Sequence, residues 1–472
     1  MKLQQFPAKN VAVTMLNGIQ NSNTLQVLSK PRFRNEEFME KILNRRWTLP
    51  SPETKIHQVI IPRHGSDGCN FLLNTVPDLG HGARDMKNKG KCFYVVRDDL
   101  LHSLINGNKA RKLDGLIPLI EDHSVTDVVK SFSSISRAFS RLHVVVVKVL
   151  IQLLLVAVLC AERGIASHLL LRGEQPEILT GYNLMSTLYG NVTYVPRNIY
   201  ADRENMLKDY AKSLAGNSGS VISFGNITQN SSTTEFSTAN LMEFDVSRSD
   251  RNLQRKFLIV NEGAGDSVAL LGMIRLVQYL SQSHLLGKDR ALKFVIDAGT
   301  GTTAVGLGLA ALCLGCVHSI SVESNFKLFY FVILPWEVHA VMLADKIDGY
   351  KQQEDRLISE FQNHFNVQFS DHNINEDGGI VYWVERGRPR RFGNVLEGEV
   401  EACQQIAQQT GILVDPVYTL AAWETAMLLS SKEDDRESEV VMLHTGGTLG
   451  MFGLAQRYRN YFGMLQKGPN CS

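Results

Sequence analysis

Val295-Ile-Asp-Ala-Gly-Thr-Gly-Thr-Thr-Ala-Val-Gly306 decides how the rest of the chain is read. An apolar run of strand type ends in a glycine loop, and the loop opens a small-residue, helix-compatible run. Gly299 and Gly301 let the backbone come close to a ligand. Thr300, Thr302 and Thr303 supply hydroxyls, and the free N–H groups of the following helix point the same way. Together they make a phosphate cup; the competing reading is an ordinary strand-to-helix turn. The full G-x-G-x-x-G of a dinucleotide site is missing, and no G-K-[ST] follows. A single phosphate on an organic cofactor fits better. Outward from this loop, short apolar runs alternate with helical segments: 92–96, 166–171, 256–260, 291–296 and 439–443. That alternation predicts an α/β fold with mostly parallel sheets flanked by helices.

Composition sets the outer bounds. The chain has 472 residues, 44% hydrophobic and 21% charged, with a formal net charge of +1. Such a balance gives no global field for nucleic acid or an anionic membrane. The basic run Arg386-Gly-Arg-Pro-Arg-Arg391 reads as a solvated loop. Seven cysteines are spread over the chain without a dense framework, which fits a reducing compartment. Cys313 and Cys316 lie in an apolar stretch and read as packing, so no metal site is expected. The first 35 residues carry five basic side chains and no acid. They resemble an organellar transit peptide, with a disordered basic tail as the alternative. Val144–Leu159 holds only Lys148 and Gln152 as polar members. A charge near the centre of a membrane span costs about 2.5–3.5 kcal/mol, so the stretch reads as buried in protein. Residues 213–240, rich in Ser, Thr, Asn and Gly, read as a long exposed loop.

A second motif, Asn106-Gly-Asn-Lys-Ala-Arg-Lys-Leu113, reads by itself as a basic helix start. Its company changes that reading. Together with 297–303, Ala344-Asp-Lys-Ile-Asp-Gly-Tyr350, Gly411-Ile-Leu-Val-Asp-Pro-Val-Tyr418 and His444-Thr-Gly-Gly-Thr448, it resembles the D-cysteine desulfhydrase and 1-aminocyclopropane-1-carboxylate deaminase family. Members are two-lobed fold type II (tryptophan-synthase-β-like) pyridoxal-phosphate enzymes with the cofactor between the lobes. The likeness covers roughly residues 92–455, with gaps, and is strongest to the plant mitochondrial type.

The resemblance implies that Lys109 is the Schiff-base lysine. Such an amine must be locally deprotonated, and burial together with the neighbouring Arg111 and Lys112 is expected to achieve this. Asn108, the cup residues 299–303, Thr445 and Gly446 are implied cofactor contacts. Tyr418 falls on an active-site tyrosine, and Thr419 on the position facing the pyridine nitrogen. The deaminases carry a carboxylate there, so Thr419 and Thr445 favour β-elimination over ring opening. The implied reaction is D-cysteine to pyruvate, hydrogen sulfide and ammonia, with Lys109 as general base and no metal. Mitochondria are the expected compartment and the cytoplasm the alternative; a homodimer is the expected assembly.

The chain also departs from the family frame. After residue 129 the substrate-facing loop is replaced by Lys130-Ser-Phe-Ser-Ser-Ile-Ser-Arg-Ala-Phe-Ser-Arg-Leu142 and the apolar run. No serine there matches the catalytic one. Asn325–Leu334 is a second foreign stretch, and Phe392 stands where many relatives carry a second tyrosine. Competing readings are therefore a cofactor-binding homologue inactivated at 130–155, a deaminase, and a membrane-anchored non-enzyme. The expected organisation is an extension over 1–90, a large cofactor-binding lobe from 91–118 plus 255–472, and a small lobe over 119–254.

Overall fold

The computed structural model describes residues 35–61, 71–79, 91–102, 104, 107–131, 146–196, 198–223, 255–260, 267–322, 326–332, 334–367, 369, 379–432 and 438–465. The strands are β1 (Ile56–Ile61), β2 (Leu72–Asn74), β3 (Lys91–Val96), β4 (Asp127–Ser131), β5 (Ala166–Arg172), β6 (Asn191–Val195) and β7 (Ser220–Ser223) in the first half. β8 (Lys256–Val260), β9 (Leu292–Ala298), β10 (Cys316–Val322), β11 (Phe326–Val332), β12 (Trp336–Met342), β13 (Tyr382–Glu385) and β14 (Glu439–Leu443) follow.

Two sheets organise the chain. The larger has the order β13-β12-β9-β14-β3-β1-β2, and the smaller β6-β5-β4-β8-β7. All pairs in the smaller sheet are parallel. In the larger, β13 to β3 run parallel, and only the β3–β1 and β1–β2 pairings, at one edge, are antiparallel. The central strands are buried on both faces: Phe294, Val295 and Ile296 of β9 and Val441, Met442 and Leu443 of β14 are at most 1% exposed. Near-continuous apolar runs of this kind are what parallel strands sandwiched by helices require. The two-lobed α/β expectation therefore holds.

Its boundaries need correction. The stretch read as an extension over 1–90 contributes β1 and β2, which extend the large sheet through the six-residue β1–β3 register Ile56↔Val96 to Ile61↔Lys91. β8, placed in the large lobe, pairs with β4 and β7 in the small one. Residues 213–240, read as loop, begin with a helix end at Ala215 and include β7; 224–240 lie outside the described residues. The apolar run forms the sixteen-residue helix Val146–Ala161, whose Leu154–Cys160 are buried. At 1.5 Å per residue it spans about 24 Å, short of a hydrocarbon core of about 30 Å. Among the described residues no helix is long and apolar enough to cross a membrane. The second foreign stretch supplies β11, which pairs antiparallel with β10 as a separate two-stranded ribbon.

The order β9-β14-β3 has one consequence for function. These three neighbours are parallel, so their C-terminal ends lie side by side. The loops that leave them, at 97–98, 299–301 and 444–447, converge at one edge of the sheet. Ligands in open parallel sheets bind at this edge.

Candidate active site

The helix Asn108–Asp114 (α1) starts where these loops meet. Asp98, just past β3, is fully buried and holds Arg111 of this helix through two hydrogen bonds of 2.9 and 3.1 Å. The Asp98 carbonyl also accepts the Gly107 N–H at 2.7 Å. Gly107 caps the helix at φ +66°, and a Cβ on it would lie 1.8 Å from the Thr445 carbonyl oxygen. Only glycine permits that approach between the lysine helix and the loop after β14.

Lys109 therefore projects into a cleft of roughly 330 Å³, counted with its open mouth. Asn108, Asp297, Gly299, Thr300, Gly301, Thr303 and Tyr418 line the same cleft. Lys109 Nζ donates to Asn108 Oδ1 at 2.7 Å, and Asn108 Nδ2 donates to Thr303 Oγ1 at 2.9 Å. The lysine helix and the cup are thus joined by direct hydrogen bonds. Part of Lys109 faces the open cleft, yet protein packs around it closely enough for desolvation to lower its pKa from 10.5 to about 8; the Asp297 carboxylate opposes the shift. Of the two causes expected, burial is the one that acts; the contribution expected of the neighbouring cations is corrected, Arg111 being paired with Asp98.

The cup is the N-terminus of the helix Thr302–Cys313 (α2). Its N-cap, Gly301, is left-handed at φ +75° and no side chain caps the first turn. A Cβ at Gly301 would strike the Trp383 ring at 2.9 Å. Trp383 stacks on Tyr350 at 4.7 Å. The Tyr350 hydroxyl donates to the Ala298 carbonyl at 2.6 Å and accepts the Leu343 and Ala344 N–H groups, so it fixes the loop from behind. Open N–H groups, nearby hydroxyls and the buried Lys112, which also lines the cleft, make an anion site.

Not every residue expected here faces the cleft. Thr302 is buried and its hydroxyl pairs with that of Thr300 at 3.1 Å. Thr419 is fully buried; its hydroxyl donates to Asp415 Oδ2 at 2.9 Å and accepts the Asp415 N–H at 2.7 Å. It caps a turn rather than lining the cleft. Thr445 donates to Asp297 Oδ1, one step behind the lining. Gly446 follows, its N–H held by His444 Nδ1 at 3.2 Å. His444 Nε2 lies 3.0 Å from the Leu413 carbonyl, so the loops before Tyr418 and around Thr445 are tied together.

Tyr418 is 8% exposed and meets the edge of Phe392 at 5.7 Å. Burial, with the carboxylates of Asp415 and Asp297, pushes its phenol well above the usual value. Tyr182, from the helix Gly181–Tyr189, adds to that effect. Asp415 is itself pushed upward by burial and by Asp297, and accepts the N–H groups of Val417, Tyr418 and Thr419. Sequence reasoning missed Asp297, Asp415 and Tyr182 as neighbours of the site. The basic run is largely the solvated loop expected, with 387–389 and 391 exposed, but its two inward-turned members were missed. Arg386 is 8% exposed, and Arg386, Arg388 and Arg390 all converge on the fully buried Glu399. The replaced loop at 130–155 is described only at 130–131 and from residue 146.

A protein of rice (Oryza sativa subsp. japonica), provisionally named D-cysteine desulfhydrase 2, mitochondrial, is 44% identical over 428 residues, covering 88% of this chain and 93% of the relative. This chain belongs to the D-cysteine desulfhydrase and 1-aminocyclopropane-1-carboxylate deaminase family. A second member, from Pyrococcus abyssi and provisionally named 1-aminocyclopropane-1-carboxylate deaminase, is 25% identical over 372 residues, 78% of this chain and 88% of that protein. The crystal structure of an ACC deaminase homologue superposes with a TM-score of 0.55 at 19% identity, over 90% of this chain and 98% of that one. It shares the fold, which is that of the fold type II pyridoxal-phosphate enzymes. No protein-family model matches the sequence.

Proposed function

We propose that the chain is a pyridoxal-phosphate-dependent carbon–sulfur lyase that takes D-cysteine and water to pyruvate, hydrogen sulfide and ammonia. One observation carries the reading: an amine brought to about pKa 8 shares a cleft with an uncapped helix N-terminus. The residues present fit the cofactor's chemistry. Lys109 would hold its aldehyde carbon, and the N–H groups and hydroxyls of 299–303 would hold its phosphate. Bound there, pyridoxal phosphate supplies an electron sink for the substrate α-carbon.

The chain's own residues do the rest. Near pH 8 about half of the Lys109 amine is unprotonated, so Nζ can take the α-proton as general base. The Tyr418 phenol, raised far above neutrality, stays protonated. It therefore acts as a hydrogen-bond donor and not as a base, and the leaving sulfur is the atom that needs one. The Asp297 carboxylate beside Lys109 raises the affinity of Nζ for a proton, which favours Nζ–H₃⁺ after proton transfer. The D-cysteine preference rests on family membership and the rice relative.

Sulfide and pyruvate release tests the proposal. The loaded chain should release both from D-cysteine, but neither from L-cysteine or 1-aminocyclopropane-1-carboxylate. A chain that takes up the cofactor and turns over none of them refutes the lyase reading. The acid-free basic N-terminus and the mitochondrial designation of the rice relative support import into mitochondria. A fluorescent fusion confined to the cytoplasm would count against it.

A further inference from the structure

Tyr418 is the fourth residue of a five-residue turn, Asp415-Pro-Val-Tyr-Thr419, whose two sides are held by different groups. On the amide side, the Asp415 carboxylate accepts the N–H groups of Val417, Tyr418 and Thr419 at 2.9–3.2 Å. On the carbonyl side, Arg386 donates to Pro416 O at 2.8 Å and to Val417 O at 3.1 Å. Arg390 adds a longer contact to Pro416 O at 3.4 Å. Both arginines reach the turn because the buried Glu399 draws them together. The planar guanidinium matters: one rigid fork reaches two successive carbonyls, which an ammonium on a flexible stem does not reproduce.

We propose that Arg386 is a positioning residue for the reaction, acting through the Pro416 and Val417 carbonyls to aim the Tyr418 hydroxyl into the Lys109 cleft. The proposal rests on the lyase reading for its kinetic arm and on geometry alone for its structural arm. With the fork gone, Val417 O loses its donor and Pro416 O keeps only the longer Arg390 contact, so the turn is held chiefly on its Asp415 side and opens more often. The chain keeps its fold and its lysine, and the phenol loses its aim. Arg388 serves as the internal control. It touches Glu399 and Glu424, is 46% exposed, and does not share the Pro416 and Val417 carbonyls that Arg386 holds.

The test compares Arg386→Lys, Arg388→Gln, Tyr418→Phe and the Arg386→Lys/Tyr418→Phe double variant as full-length, cofactor-loaded chains. Arg386→Lys should lower kcat for D-cysteine about 100-fold, the usual cost of misplacing a reacting group by about 1 Å, with KM little changed. Arg388→Gln should match the parent. In the Tyr418→Phe background, Arg386→Lys should cost nothing more, because the hydroxyl it aims is gone. Equal losses in both backgrounds, or a raised KM with loss of bound cofactor, would show a general structural role and overturn the proposal. Amide hydrogen exchange by mass spectrometry needs no substrate. Exchange at the Val417, Tyr418 and Thr419 amides should accelerate in Arg386→Lys but not in Arg388→Gln, because a turn freed on its carbonyl side opens away from Asp415 more often. Unchanged exchange overturns the clamp whatever the activity, whereas a parent inert toward D-cysteine refutes only the lyase reading.

Discussion

Replacing Gly107 with alanine probes the seat of the lysine helix. The residue sits at φ +66°, ψ −157°, a region open in practice to glycine alone, and holding another residue there costs about 1–3 kcal/mol. Space is the larger problem. The new Cβ would lie 1.8 Å from Thr445 O, 2.1 Å from Thr445 C and 2.6 Å from Gly446 N. These are backbone atoms and cannot rotate away. Moving from 1.8 Å to a tolerable contact of about 3.0 Å forces the two loops apart by about 1.2 Å. Lys109 lies two residues further on in the same helix and moves with it. The Asn108–Thr303 bond that joins helix to cup, now 2.9 Å, stretches as well. At about 2–4 °C per kcal/mol for a mid-sized domain, the backbone strain alone should lower the melting temperature by several degrees. Displacing the amine by about 1 Å should slow cofactor attachment or turnover about 100-fold. Thermal melting and the rate of growth of the visible cofactor band on mixing read the two effects separately. An alanine variant that melts with the parent and takes up cofactor at the parental rate would refute the packing argument.

Three further outcomes follow from the geometry. Lys109 attacks only when unprotonated and titrates near 8, so the cofactor uptake rate should rise about tenfold per pH unit below 8 and level off above it; a rate still climbing toward pH 10 would mean an ordinary lysine. Tyr350→Phe removes the hydroxyl bonded to Ala298 O, Gly299 O and the Leu343 and Ala344 amides, and should cost about 1–3 kcal/mol in denaturant melts while weakening cofactor affinity. Asp98→Ala strands the fully buried Arg111 and should destabilise by about 3–5 kcal/mol; the double variant Asp98→Leu/Arg111→Met should recover most of it, and equal melting of single and double variants would contradict the pairing.

What could be read from the sequence was whatever depends on neighbours along the chain. Val295–Gly306 announced a strand, a glycine turn and a helix start, and the structure has β9, Gly301 at positive φ and α2 in those places. Lys109 could be picked out because its motif keeps company with four others. The failures share a cause in non-local pairing. Residues 56–61 look like linker until β3, some thirty residues on, is seen to be their antiparallel partner. Arg386 and Arg390 turn inward from an otherwise exposed loop, because the fold brings Glu399 to them. Arg111 was credited with lowering the pKa of Lys109, but Asp98 cancels its charge from thirteen residues upstream. Thr419 is different, because the signal was local and was overlooked. An aspartate four residues before a threonine, around Pro-Val-Tyr, is a capping arrangement, and it gives the Thr419 hydroxyl a partner in Asp415.

The central claim is that Lys109 carries the cofactor, and one covalent measurement addresses it. The purified chain is mixed with pyridoxal phosphate, reduced with borohydride, digested and mapped by mass spectrometry. The account predicts one stoichiometric label, on the peptide containing Lys109, and its loss together with the visible band in Lys109→Ala. A label on another lysine such as Lys112, or a fully folded chain that takes none, would contradict it.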